Sequence, residues 1–185
     1  QLEGLQETIY KGTVKTGNRL CLVRDAEAKE NCFTFSKVLD STKLKYAPYK
    51  PEIKLPGEWK VKQILKTNGQ VYFINDDSTI IAIAVFQAAK LPGYKETQTA
   101  FETAYTYYEW DSKYMQEEQK MEVKKITENK DKAFVFWNAK DPYNDNYHLF
   151  ARHKDLLYNI MIFDRLMPVE KQLKYLELLY DLNKE

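Results

Sequence analysis

The segment Thr79-Ile80-Ile81-Ala82-Ile83-Ala84-Val85-Phe86 constrains the fold more than any other part of the chain. In an extended backbone Ile81, Ile83 and Val85 point one way, while Ile80, Ala82, Ala84 and Phe86 point the other. Both sets are apolar, so the segment reads as a central strand covered on both sides. The same holds for Ala133, Val135 and Trp137 against Phe134 and Phe136. It holds again for Leu156, Tyr158, Ile160 and Ile162 against Leu157, Met161 and Phe163. Strands buried on two faces require a layer on each side of the sheet. A chain of 185 residues is long enough for one domain with such a core, plus an extension.

Turn chemistry places the remaining elements. Residues 60–66 and 70–75 flank Thr67-Asn68-Gly69, a hairpin signal because Asn and Gly both tolerate positive φ. After Leu91-Pro92-Gly93 the apolar spacing predicts a helix over 97–120. Strands are expected at 121–128, 132–138, 146–153 and 156–163, separated by polar turns such as Asn129-Lys130-Asp131. Pro168 suits the first turn of a last helix running to about residue 183. The predicted order is β-β-β-α-β-β-β-β-α. Short links between successive strands imply an antiparallel sheet, giving an α+β class with an α/β/α layering.

Ahead of this region, Pro48, Pro51 and Pro56 crowd one short stretch, which can form neither helix nor central strand. The expected organisation is an N-terminal β extension at 1–46, a Pro-rich connector at 47–58 and the main domain at 59–185. A piece as short as 1–46 rarely holds a core alone, so it is expected to dock on the main domain. Within it, 20–24 and 31–35 read as a β-hairpin around a polar stretch. If the turn centres on Ala26 and Glu27, Cys21 lies opposite Cys32, and a disulfide is a candidate; the alternative is two small buried thiols. A start at Gln1, with that bridge, favours an exported protein, periplasmic or at the cell surface.

The element order, the Trp59 that closely follows Pro56-Gly57, the run Tyr72-Phe73-Ile74-Asn75 ending one strand and Ile81-Ala82-Ile83 in the next are similar to the Mog1/PsbP-like superfamily. The resemblance covers roughly 55–182 and implies an α/β/α sandwich around an antiparallel sheet. It implies no shared active site. Known members include an extrinsic photosystem subunit and a binder of the Ran GTPase, and no motif here carries either role.

Chemistry-bearing patterns are few. The sequence lacks G-x-S-x-G, a phosphate-binding P-loop and G-x-G-x-x-G. His148 and His153 fall on opposite faces of one predicted strand and cannot share a metal. His148, Phe150 and Arg152 share a face, which makes His148 and Arg152 the candidates for a small ligand pocket. The loop from Asp141 to Asn146 offers oxygen ligands but lacks EF-hand spacing. No metal and no cofactor is implied. With 28 basic against 27 acidic residues, the net charge of +1 gives no footprint for nucleic acid. No apolar run approaches the length of a membrane span.

The helices carry more apolar surface than one sheet contact needs. In the first, Phe101, Ala104, Tyr105, Tyr108, Ser112 and Met115 form one arc, and Tyr107, Trp110 and Tyr114 form a second. In the last, Val169, Leu173, Leu176 and Tyr180 form one arc, with Tyr175, Leu178 and Leu182 opposite. The second arcs can be covered by the helices packing side by side, by the N-terminal segment, or by a protein partner or second copy of the chain. The expectation is a non-enzymatic binding or assembly module using Tyr107, Trp110, Tyr114, Tyr175, Leu178 and Leu182. The alternative is a small-molecule-binding protein or hydrolase with a pocket between sheet and helix.

Overall fold

The structure, a computed structural model, describes residues 19–22, 31–38, 41–46, 52–65 and 69–184, with side chains from residue 53 onward. The chain divides into two compact units, Gln1–Trp59 and Lys60–Glu185.

The first unit holds an antiparallel meander of β1 (Arg19–Leu22), β2 (Asn31–Val38), β3 (Ser41–Tyr46) and β4 (Glu52–Pro56), in that order. The expected hairpin of two strands is therefore part of a four-stranded sheet. The predicted connector at 47–58 also needs correcting, because β4 pairs with β3 from Glu52 to Pro56. β4 is an edge strand and Pro56 is its last residue, so the missing proline N–H breaks no ladder. The register of β1 on β2 sets Cys21 opposite Cys32. The side chains of both cysteines, and with them the disulfide, lie outside the described residues, as do Pro48, Pro51 and the expected turn at 25–30.

The second unit contains β5 (Lys60–Ile64), β6 (Val71–Ile74), β7 (Ile80–Gln87), a 3-10 turn (Ala88–Lys90), α1 (Ala100–Glu117), β8 (Glu122–Asn129), β9 (Phe134–Lys140), β10 (Asp145–His153), β11 (Leu156–Phe163) and α2 (Val169–Asn183). The predicted order of strands and helices is the observed one; the 3-10 turn is additional. The seven strands pair antiparallel in the order β5-β6-β7-β11-β10-β9-β8. α1 carries the chain from central β7 to the far edge, and the following meander folds back until β11 meets β7. Gly69 takes φ 71° at the β5–β6 loop, where its N–H donates to the Leu65 carbonyl at 2.9 Å. Both edge strands carry lysines, at 60 and 62 on β5 and at 124 and 125 on β8, which discourages further strand pairing.

α1 starts later than the apolar spacing predicts because Thr99 caps it. The Thr99 hydroxyl accepts from the Glu102 N–H, and the Glu102 carboxylate accepts from the Thr99 N–H at 2.7 Å. That contact holds the Glu102 carboxyl below its usual range. α1 stops at Glu117, and Lys120 turns into the left-handed region at φ 56°.

Register assigns the two faces. One row across the sheet runs Trp137, His148, Met161, Ala82 and Tyr72, with Val135, Phe150, Asn159 and Ala84 beside it on the same face. α1 lies on this face, its Tyr107 ring stacked on Phe150 at 4.1 Å. The opposite face carries Phe134, Ala151, Tyr158 and Val85 in one row. α2 lies there, with Tyr180 edge-on to Tyr158 at 5.4 Å and to Phe134 at 6.2 Å. The sheet between them is dry: Ile81, Ala82, Ile83, Val135, Trp137, Phe150 and Ile160 are fully buried.

Candidate functional site

α1 sits over β8, β9 and β10, and its amphipathic arc decides which side chains enter the core. Thr103, Ala104, Tyr107 and Ser112 are buried. Tyr107 was expected on the outer stripe; the structure places it under α1, stacked on Phe150 and edge-on to Phe86 at 5.3 Å. Its hydroxyl accepts a hydrogen bond from Asn159 Nδ2 at 2.9 Å, and burial pushes its pKa upward. Tyr108, from the expected inner arc, is edge-on to Trp137 at 5.8 Å.

The other two members of that stripe stay outside. Trp110 is 47% exposed and Tyr114 45%, one helical turn apart. The Trp110 ring stacks at 6.1 Å on buried Tyr107, so an accessible aromatic face continues directly into the core. The Tyr114 hydroxyl accepts from Gln119 Nε2 at 3.1 Å.

Next to Trp110 in the helix is Asp111, half-buried. Burial alone pushes its carboxyl up to about 6. It forms no hydrogen bond or ion pair with any described residue. Its charge is felt by two phenols, Tyr107 on its own helix and Tyr72 on β6, and raises both beyond the effect of their burial. The Tyr72 hydroxyl is itself tied to Gln70 Oε1 at 3.1 Å.

Deeper on the same face, His148 stacks on Trp137 with ring centroids 4.2 Å apart. Among the described residues neither imidazole nitrogen has a hydrogen-bond partner, nor does Trp137 Nε1 or Asn159 Oδ1. Burial lowers the His148 pKa to about 3, so the ring is neutral at physiological pH. Arg152 shares this face but not this site, since Phe150 stands between them along β10. Its guanidinium donates to Thr103 Oγ1 at 2.7 Å and to the Gln98 carbonyl at 3.3 Å, and it lies over the Tyr94 ring. Arg152 thus fastens the start of α1 to the sheet. The pair His148 and Arg152 does not converge.

On α2, Leu178 is 44% exposed, while Tyr175 and Leu182 are half-buried. They belong to the opposite face from Trp110 and Tyr114. The helices therefore do not pack side by side, and their outer arcs form two surfaces rather than one. The helix spacing showed two arcs on each helix but not which one meets the sheet. Val169, expected inside, is exposed at 43%, and Leu179 and Asn183 are buried in its stead. Asp111 and Asn159 do not enter the sequence reading, and Tyr72 and Trp137 enter it as strand residues rather than as site residues. The available signal was Asp111 one turn after Tyr107 on the same arc, a charged residue where the helix faces its core.

Two further features have local explanations. Asp141 Oδ1 accepts from the N–H groups of Tyr143 and Asn144 at 2.6 and 2.7 Å, so that carboxylate organises a turn. An open cleft of about 520 Å3 beside the first turns of α1 is lined by Phe101, Tyr105, Lys125, Glu128 and Lys130. There Lys125 is paired with Glu128 at 2.8 Å. Among the described residues no group of three or more His, Cys, Asp or Glu side chains could hold a metal ion. No helix among them is long and apolar enough to cross a membrane.

The chain matches no family model and no curated protein.

Proposed function

We propose that the chain is a non-enzymatic binding module that docks another polypeptide on the outer edge of α1. The observation that carries this reading is the pair Trp110 and Tyr114. Two large aromatic rings are about half exposed and one turn apart, and that of Trp110 continues inward through Tyr107 to the core. Such rings cost little conformational entropy when they bind and dominate contact energies at interfaces. The exposed Leu178 lies on the other face and serves as the control position. Trp110→Ala should cost about 1–3 kcal/mol, the share of the ring that packs on Tyr107, and Trp110→Phe is the milder variant if the alanine form unfolds. Capture of a stoichiometric partner from host extract, with soluble and envelope fractions kept separate, should be lost in Trp110→Ala and retained in Leu178→Ala. Equal capture by the parent and Trp110→Ala would refute the reading.

The observed element order and the helix on each face support assignment to a Mog1/PsbP-like sandwich as part of the same proposal. The opposed Cys21 and Cys32 support export to an oxidising compartment. One observation favours a second reading, a small-molecule-binding protein or hydrolase with a pocket between sheet and α1. Four buried polar atoms, on Trp137, His148 and Asn159, share that face without partners. For hydrolysis, however, a histidine needs a nucleophile and an orienting group, and His148 hydrogen-bonds to no described residue.

A further inference from the structure

We infer that the cleft beside the first turns of α1 is a binding site for a small organic monocarboxylate with an aryl or alkyl body. The inference goes beyond the docking reading and does not rest on it, since neither Trp110 nor Tyr114 lines the cleft.

The size is that of a ligand site: about 520 Å3, within the range of roughly 300–1,000 Å3 that small molecules occupy. Its apolar wall is the pair Phe101 and Tyr105, one turn apart on α1 with ring centroids 5.9 Å apart. β8 and the turn after it bring a cation over each ring. Lys130 Nζ lies 5.8 Å from the Phe101 centroid, and Lys125 Nζ lies 5.1 Å from that of Tyr105. The apolar wall is therefore bordered by positive charge.

The charges do not balance within the cleft. Three lysines against two glutamates leave a net charge of +1, and both glutamates are already engaged. Glu128 Oε2 holds Lys125 Nζ at 2.8 Å, and Glu102 Oε2 accepts from the Thr99 N–H at 2.7 Å to cap α1. Pairing with Glu128 explains Lys125 but not the other two lysines. Among the described residues Lys95 and Lys130 form no ion pair, and Glu128 feels Lys130 only from beyond ion-pair distance. The side-chain amide of the wall is satisfied locally: Gln98 Oε1 accepts from the Lys95 N–H at 3.0 Å, and Gln98 Nε2 donates to Thr106 Oγ1 at 2.9 Å. The open charge that remains is two ammonium groups beside two rings.

That combination selects the ligand. A cation would be repelled, and a neutral body would leave both ammonium groups unanswered. Among anions, phosphate esters are gripped best by a guanidinium fork, and no arginine is among the residues that line the cleft. Arg152, which reaches the Gln98 carbonyl, is committed to fastening α1. A net charge of +1 also matches a monoanion rather than a dianion. A carboxylate supplies that single charge, and an aryl or alkyl body covers Phe101 and Tyr105.

The probe is sodium phenylacetate, with phenylacetamide as its neutral counterpart and inorganic phosphate as a second anion, each titrated into the whole chain. Binding is read from the backbone N–H signals of residues 101–106 and 125–130 in a nitrogen–proton NMR spectrum. The expected result is a saturable shift with phenylacetate, half complete on the order of 1 mM, the strength open to a ligand of its size. Phenylacetamide and phosphate should each bind at least about fivefold more weakly. Lys95 and Lys130 are exposed, so the double variant Lys95→Gln, Lys130→Gln should fold as the parent does. It should weaken phenylacetate at least about fivefold, while Lys62→Gln, on the opposite edge strand β5, leaves it unchanged. Equal shifts from phenylacetamide would reduce the cleft to an apolar groove, and equal shifts from phosphate would reduce it to a positive patch; either result overturns the inference. So would the absence of a shift at about 20 mM phenylacetate, or unchanged affinity in the double variant.

Discussion

The two helices cover opposite faces of one sheet and differ in how their polar groups are treated. Beneath α2 the buried polar atoms are largely used. Tyr158 Oη donates to the Asn183 carbonyl at 3.1 Å, Tyr180 Oη bonds the Lys132 and Arg152 carbonyls at 3.3 Å, and Gln172 Nε2 donates to two carbonyls at 2.8 Å. The outer side of α2 is bound to the β8–β9 turn, where Lys132 reaches Glu177 at 2.6 Å and Asp181 at 3.6 Å. Beneath α1, by contrast, and among the described residues, His148, Trp137 and Asn159 keep unpaired atoms, Asp111 forms no ion pair, and two aromatic rings remain accessible. Among the described residues α2 keeps one buried atom without a partner, Gln172 Oε1, and the face beneath α1 keeps four. That contrast is the reason to place binding on α1.

The contrast can be broken at several points. Leu176, fully buried under α2, should cost about 2–5 kcal/mol when changed to Ala, measured by denaturant unfolding. A loss below about 1 kcal/mol would mean that α2 is not the structural helix described here. Under α1, His148→Phe keeps an aromatic ring against Trp137 and removes two unpaired nitrogens. It should leave stability unchanged or raise it by about 1 kcal/mol, and a clear loss would show that the imidazole has partners after all.

Asp111→Asn should act with a pH dependence of definite sign. The folded carboxyl titrates near 6, above its usual unfolded value, so the folded state holds the extra proton between the two. The native charge therefore destabilises the protein as pH rises through that window. The asparagine variant should be more stable than the parent by about 1 kcal/mol near pH 7.5 and equal to it near pH 4, after allowance for partial solvation. The smallest effect belongs to Lys132→Ala. Its ion pairs are solvent-exposed, so the loss in stability should be close to the limit of detection by denaturant unfolding and should fade with added salt.

Much of the second unit was legible in the sequence because its signals are local. The two-sided apolar pattern of 80–86 marks β7 as central, and in the sheet it lies between β6 and β11. Thr99 to Glu102 spells a capping box that places the start of α1 better than apolar spacing does. What was not legible depends on tertiary choice. A helix with two apolar arcs does not reveal which one meets the sheet, and here Tyr107 goes inward while Trp110 and Tyr114 stay out. Nor does element order say that α1 and α2 lie on opposite faces; that follows from register. β4 was obscured by its prolines, which an edge position tolerates. Asp111 carries little local signal, because a lone carboxylate on a helix is ordinarily solvated, and its charge acts on Tyr72, a residue distant in sequence and supplied by β6.

The most direct measurement is the titration of Asp111 itself, followed through its carboxyl carbon by NMR in the free protein. The account predicts a midpoint near 6, a carboxylate drawn partly out of water with no cation beside it. A midpoint near the ordinary value of about 4 would show it solvated or paired, and would contradict the picture of an α1 edge whose carboxylate is partly buried without a cation.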